Sequence, residues 1–138
     1  MDPERAKRFI NEKYRYAVVG ASTHQEKYGY RVLVDFFNAG HKVVGVNPNS
    51  KVTKIVSVPV YHRLQDVPGG VDVAIVVVSP DEGGAVLDDA NFAHVAKLWF
   101  QPGAESQDIR DKALKLGMDI VADGSCIMTV RDQLNKKA

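Results

Sequence analysis

A single cysteine, Cys126, stands among 138 residues, so neither an intramolecular disulfide nor a thiolate zinc cluster is available, and a reducing compartment is expected. The four histidines, at 24, 41, 62 and 94, have no metal-ligand spacing, and no metal site is expected. No stretch approaches the roughly 20 apolar residues that cross a bilayer, and the opening M-D-P-E-R-A-K-R has no signal-peptide core. The expected location is the cytoplasm, with no membrane partner. An excess of one charge is also lacking. The 18 basic and 17 acidic side chains leave a net +1, so no overall field draws nucleic acid or anionic lipid, and any anion site must be local. Low-complexity segments, linkers and internal repeats are absent. What is there is ordinary globular composition, 45% apolar and 25% charged, spread over one expected domain, residues 1–138, long enough to bury one core.

The chain is organised around residues 16–29, Y-A-V-V-G-A-S-T-H-Q-E-K-Y-G. An apolar strand ends in the turn Gly20-Ala21-Ser22, and helical periodicity begins at Tyr30. Strand, glycine turn, then helix is how an α/β sheet presents backbone N–H groups to a phosphate. Before it, Ala6, Phe9 and Ile10 predict a short amphipathic helix over about 3–12, with Pro3 in its first turn. After it, Val32, Leu33, Phe36 and Phe37 form one helical stripe, and Gly40 ends the helix in a left-handed cap.

Residues 41–46 read as a second strand, stopped by Asn47-Pro48-Asn49-Ser50. Residues 51–70 are the least regular, with a brief strand near 56–60 and a turn of helix near 64–67. The β-branched run 71–78 predicts a central strand covered on both faces. Ser79-Pro80-Asp81-Glu82 then has the pattern of a capping box. Val86, Leu87, Ala90 and Ala93 face the core from the helix that follows. Residues 96–100 predict another strand, Ile109, Ala113 and Leu116 a further helix, and 118–122 a last strand. Ser125 is expected to cap a final helix carrying Ile127, Val130 and Leu134 inward. The fold class is α/β: a Rossmann-like, doubly wound, mainly parallel sheet of about five strands flanked by helices.

In such sheets ligands bind beyond the carboxyl ends of the strands. Those ends are Gly20-Ala21-Ser22, Val46-Asn47-Pro48, Val78-Ser79-Pro80 and Phe100-Gln101-Pro102-Gly103. A nicotinamide dinucleotide site would have G-x-G-x-x-G after the first strand and an acid about 20 residues on, at the end of the second. Here the loop is G-A-S-T-H-Q and the second strand ends in Asn47-Pro48, so both halves fail. The P-loop pattern fails too. What remains is a phosphate-rich ligand held by backbone donors, by Ser22, and by Lys27 and Arg31 at the start of the helix. A solvated helix start accounts for those two cations equally well.

Several residues invite a catalytic role. Cys126 follows an expected helix cap, where a thiolate is stabilised, although a small buried hydrophobe is the plainer reading there. His24 is a loop histidine, Asp81 and Glu82 do not face each other on a helix, and Trp99 lies in an apolar strand. No nucleophile, base and orienting group are brought together, so no catalytic residue is expected.

Taken in order, V-V-G-A-S (18–22), K-Y-G-Y-R-V (27–32), V-G-V-N-P (44–48), V-D-V-A-I-V-V-V-S-P (71–80), K-L-W-F-Q-P-G-A (97–104) and I-V-A-D-G-S-C (120–126) resemble the coenzyme A-binding domain family. These are Rossmann-like domains similar to the N-terminal domain of the succinyl-CoA synthetase α chain. The resemblance implies that Gly20, Ala21 and Ser22 meet the CoA phosphates. It places Asn47 and Pro48 along the adenosine, and Val78, Ser79, Pro80, Phe100 and Gln101 along the pantetheine. Family members often have an arginine before the cysteine, where this chain has Gly124-Ser125-Cys126. In the synthetase the phosphorylated histidine lies in a further domain, so ligase chemistry is not expected from these residues alone. The resemblance implies a stand-alone CoA or acyl-CoA carrier, sensor or regulatory protein. A non-catalytic subunit of an acyl-CoA synthetase-like enzyme is the alternative, with a protein partner or homo-oligomer. A NAD(P)-binding regulator is disfavoured by Asn47-Pro48.

Overall fold

The computed structural model of the chain describes residues 1–49 and 51–136, so Ser50 of the expected turn lies outside the described residues. The elements are α1 (Pro3–Phe9), β1 (Arg15–Val19), α2 (Tyr28–Asn38), β2 (Lys42–Val46), β3 (Lys54–Ile55), β4 (Val58–Tyr61), a 3₁₀ turn (Leu64–Asp66), β5 (Val73–Val76), α3 (Pro80–Phe92), β6 (Lys97–Phe100), α4 (Gln107–Lys115), β7 (Asp119–Val121) and α5 (Ile127–Lys136). They build a seven-stranded sheet in the order β3-β4-β2-β1-β5-β6-β7, parallel throughout except for β3 against β4.

Both faces of each central strand are apolar, and the pleat sorts them. Tyr16, Val18, Val73, Ile75 and Trp99 point to the layer of α1, α2 and α5, where Phe9, Leu33, Phe36, Ile127 and Val130 meet them. The intervening Ala17, Val19, Ala74, Val76, Leu98 and Phe100 point to α3 and α4, which supply Val86, Leu87, Ala90, Ile109 and Ala113. Two-sided burial makes β5 read as an unbroken apolar run rather than an alternation. Trp99 is fully buried, edge-on to Phe9 with ring centroids 5.8 Å apart, and donates from its indole nitrogen to the Ser125 carbonyl at 2.9 Å. Phe37, at the outer edge of the α2 stripe, is 38% exposed.

The sheet has seven strands against the expected five or so: the brief strand expected near 56–60 is β4, and β3 pairs with it as a further strand. β3 and β4 form a hairpin whose turn holds Val56 at φ 59°. A β-branched residue in the left-handed region is rare, so this turn carries none of the glycine or asparagine that marks a hairpin in sequence. The expected β5 is shorter at its end: Val77 and Val78 lie beyond the strand, at the rim formed by the carboxyl ends of the strands. Among the described residues no helix is long and apolar enough to cross a membrane.

Candidate functional site

β1 and β5 are the adjacent strands from which the connections run to opposite faces, and the loops beyond their carboxyl ends form a crevice. Gly20 sits there at φ +103°. A Cβ added to it would lie 2.7 Å from Val77 Cγ2, so only glycine lets the loop lie against the end of β5. The Gly20 and Ala21 N–H groups both donate to the Val46 carbonyl, at 2.8 and 3.3 Å, tying the loop to the end of β2. α2 then returns so closely that a Cβ on Gly29 would clash with the Gly20 carbonyl oxygen. This close helix–strand contact is made in dinucleotide folds by the third glycine of the fingerprint. Here it comes nine residues after Gly20, a spacing that the search for G-x-G-x-x-G passes over.

The start of α2 opens into the crevice. Its N-cap, Lys27, makes no capping hydrogen bond with its side chain, and no acidic residue occupies the first turn. The first backbone N–H groups of a helix have no intrahelical partner, and an uncompensated helix start favours an anion. Gly20, Ser22, Lys27, Gly29, Asn47 and Val78 line a cavity of about 390 Å³ at this point. The Lys27 ammonium pairs with no carboxylate among the described residues. The Ser22 hydroxyl accepts from the His24 N–H at 3.0 Å and so shapes the loop.

A second cavity, about 310 Å³, shares Pro48, Asn49, Val78 and Glu82 with the first. Its floor is apolar, built from Val19, Val46, Leu64, Val78 and Val86, and its rim carries His62, Asp81, Glu82 and Asp89. Glu82, Ala85, Val86 and Asp89 are one face of α3, spaced i, i+3, i+4 and i+7. The stripe read from the sequence, Val86, Leu87, Ala90 and Ala93, shares only Val86 with this face, and the opposite wall, His62 and Leu64, comes from the irregular 51–70 region.

The other expected site residues are placed as follows. Asn47 is half-buried and fastens the rim: its Nδ2 donates to the Ala21 carbonyl at 2.9 Å, and its Oδ1 accepts from the Asn49 N–H at 3.0 Å. Arg31 is turned along α2, its guanidinium 5.5 Å from the Tyr28 ring centroid. Ser79 holds the N-cap position of α3 but makes no side-chain capping bond, so the expected capping box does not form; Asp81 and Glu82 complement the helix start through charge alone. Pro80 faces the α3–α4 side, with Ser106 and Lys112.

Phe100 and Gln101 are fully buried. Gln101 Oε1 accepts from the Ile127 N–H at 2.8 Å and its Nε2 donates to Cys126 Sγ at 3.3 Å. A carboxamide from the end of β6 thus serves the start of α5, a role the sequence assigns to Ser125. Burial pushes the Cys126 thiol up, but bonds from the Thr129 N–H, the Gln101 side chain, the Met128 N–H and the Thr129 side chain outweigh it and hold the thiol below its ordinary value.

A family profile described as "CoA binding domain" matches residues 14–132. Among solved structures, a conserved hypothetical protein from Pyrococcus furiosus is 40% identical, with a TM-score of 0.77 over 84% of this chain and 97% of that one. A hypothetical protein from Pyrococcus horikoshii OT3 is 27% identical, with a TM-score of 0.81 over 89% of this chain and 85% of that one. An acetyl-coenzyme A synthetase described as dinucleotide forming, from Ca. Korarchaeum cryptofilum, is 27% identical, with a TM-score of 0.68 over 82% of this chain but 26% of that one.

Proposed function

The chain belongs to the CoA-binding domain family, and from that membership we propose that it binds coenzyme A or an acyl-CoA in the rim crevice as a stand-alone carrier, sensor or regulatory protein of the cytoplasm, without catalysis of its own. The observation that carries the reading is the start of α2: a helix terminus without acidic residues or a side-chain cap, beside an unpaired Lys27 and a glycine loop that lets a pyrophosphate approach the backbone. On this reading Gly20, Ala21, Ser22 and Lys27 meet the phosphates. Pro48 and Val78 lie along the adenosine, over the apolar floor of the second cavity, while Asn47 supports the loop from behind. The pantetheine leaves the crevice past Val78 and Ser79. When bound, CoA supplies a thiol that carries an acyl group; the residues around it bind and orient.

Calorimetric titration of the purified chain in reducing buffer with CoA, acetyl-CoA, NAD and ATP tests this. Binding of the CoA species in preference to NAD and ATP is expected. A preference for NAD, or no binding of any of the four, overturns it.

A second reading has the chain as a non-catalytic subunit of an acyl-CoA synthetase-like enzyme. It is favoured by the acetyl-coenzyme A synthetase neighbour, in which the matching region is a quarter of a longer chain. A chain inert alone that gains acyl-CoA ligase activity with a partner supports this second reading; binding of CoA with no such gain supports the first.

A further inference from the structure

The apolar residues of the crevice divide between its two cavities. Pro48 and Val78 line both, whereas Tyr28 and Val77 line only the one at the start of α2. Val77 is packed on the glycine loop, where a Cβ added to Gly20 would lie 2.7 Å from its Cγ2. Tyr28 is the first residue of α2, directly after Lys27. Its ring is half-buried against the layer of α1, α2 and α5. Arg31, one turn further along, sets its guanidinium 5.5 Å from the ring centroid, a cation–π contact that holds the ring in place. The cavity that offers Ser22, Lys27 and a helix start to an anion therefore also has an aromatic wall, which the second cavity does not share.

We propose that Tyr28 is a specificity-determining residue of the crevice, packing its ring on the dimethyl carbon of the pantoyl group of CoA. The inference rests on the reading of the crevice as a CoA site and deepens it by assigning what meets this wall. With the pyrophosphate at α2 and the adenosine over Pro48 and Val78, the wall of Tyr28 and Val77 is left for the group on the other side of the pyrophosphate. In CoA that group is a quaternary carbon with two methyls, one carbon beyond the phosphate oxygen. In NAD it is a hydroxylated ribose, and in ATP a further phosphate. Methyl groups gain by leaving water for an apolar wall. A ribose hydroxyl or a phosphate oxygen set there loses hydration without a hydrogen bond in return. Lys27 and Glu82, the charged residues of this cavity, act on the phosphates, which all three ligands have. Tyr28 acts on the part in which they differ, and specificity is that difference.

The test is calorimetry on the wild type, Tyr28→Ala, Tyr28→Leu and Tyr28→Phe, with thermal unfolding of each to confirm the fold. The ligands are CoA, 4′-phosphopantetheine, which keeps the pantoyl group, and 3′-phospho-ADP, which keeps the adenosine and the pyrophosphate. Tyr28→Ala should weaken CoA and 4′-phosphopantetheine about tenfold, which corresponds to about 1.4 kcal/mol, and leave 3′-phospho-ADP unchanged. Tyr28→Phe and Tyr28→Leu should restore most of the loss, because an apolar wall and not a hydroxyl is what the pantoyl group needs. If Tyr28→Ala leaves CoA affinity as it was, or weakens 3′-phospho-ADP as much as CoA, the role of Tyr28 is overturned while the CoA reading stands. The same holds if Tyr28→Phe loses as much as Tyr28→Ala, since the hydroxyl would then be the contact. If CoA does not bind the wild type, the CoA reading falls and this inference with it.

Discussion

The Gln101 carboxamide oxygen receives the Ile127 N–H at 2.8 Å, so a residue at the end of β6 caps the first turn of α5. The bond is buried, and it joins two elements that lie 26 residues apart in the chain. Gln101→Leu removes the acceptor and leaves that N–H without a partner inside the protein. The expected loss is about 1–3 kcal/mol, read from urea unfolding. CoA affinity should fall much less than stability does, because the side chain is fully buried. A large loss of affinity with unchanged stability would put Gln101 in the site instead.

Gly29→Ala should disable the crevice from below. The added methyl meets the Gly20 carbonyl oxygen, a backbone atom that cannot rotate away, so the loop or the start of α2 must shift. Overpacking of this kind destabilises by roughly 1–3 kcal/mol. The expected result is lowered thermal stability together with at least about tenfold weaker CoA binding. Gly40→Ala is the control: a Cβ there has open space around it although the backbone is at φ +86°, so it should lower stability and leave binding as it was.

Ser22→Asp separates charge from loop shape. An aspartate oxygen can accept the His24 N–H in place of the hydroxyl, so the turn survives while a negative charge enters the crevice where the proposed phosphates would sit. CoA binding should drop by about tenfold or more, recovering in part with added salt, with little change in unfolding temperature. Unchanged affinity would remove the Gly20-Ala21-Ser22 loop from the site.

Stability should fall on the acid side through His41. Burial, and then the positive charge of Arg131, lower its pKa, with Asp35 and Glu12 opposing. The ring stacks on Phe36 at 4.7 Å and meets Tyr16 edge-on at 5.3 Å. The unfolded chain takes up the proton near the ordinary value of about 6.5, whereas the folded chain does so only at lower pH. Stability is therefore complete above the unfolded value and declines as pH falls below it, levelling off once the folded histidine protonates. Urea unfolding at a series of pH values from neutral downward should show this slope, and His41→Phe should flatten it. An unchanged slope in the variant would assign the acid sensitivity elsewhere.

The order of strand, glycine turn and helix around Gly20 was legible because each sign is local: a β-branched or apolar run, a glycine at positive φ, then a 3.6-residue stripe. The two-sided burial of β5 was equally plain in its unbroken apolar run. A strand near β4 was expected, but its hairpin with β3 was not, because Val56 occupies a turn position that sequence rules give to glycine or asparagine. Phe100 and Gln101 were assigned to the rim on the strand-end rule. The Gln101 N–H still donates to the Val76 carbonyl at 3.0 Å, so strand pairing continues through it, and the pleat buries Phe100 against α3 and α4 and Gln101 against the start of α5.

The sequence by itself determined the α/β class, the buried stripes and the position of the glycine loop after β1, since these follow from contacts among residues near one another in the chain. The tertiary structure decided which side chains share the crevice. Placing β5 beside β1 and α3 beyond it brings Glu82 to the loop after β2, and Asn47 is drawn away to clasp Ala21. Those contacts join residues 26 or more positions apart, and no local pattern encodes them, because they depend on the order in which the strands are laid down in the sheet.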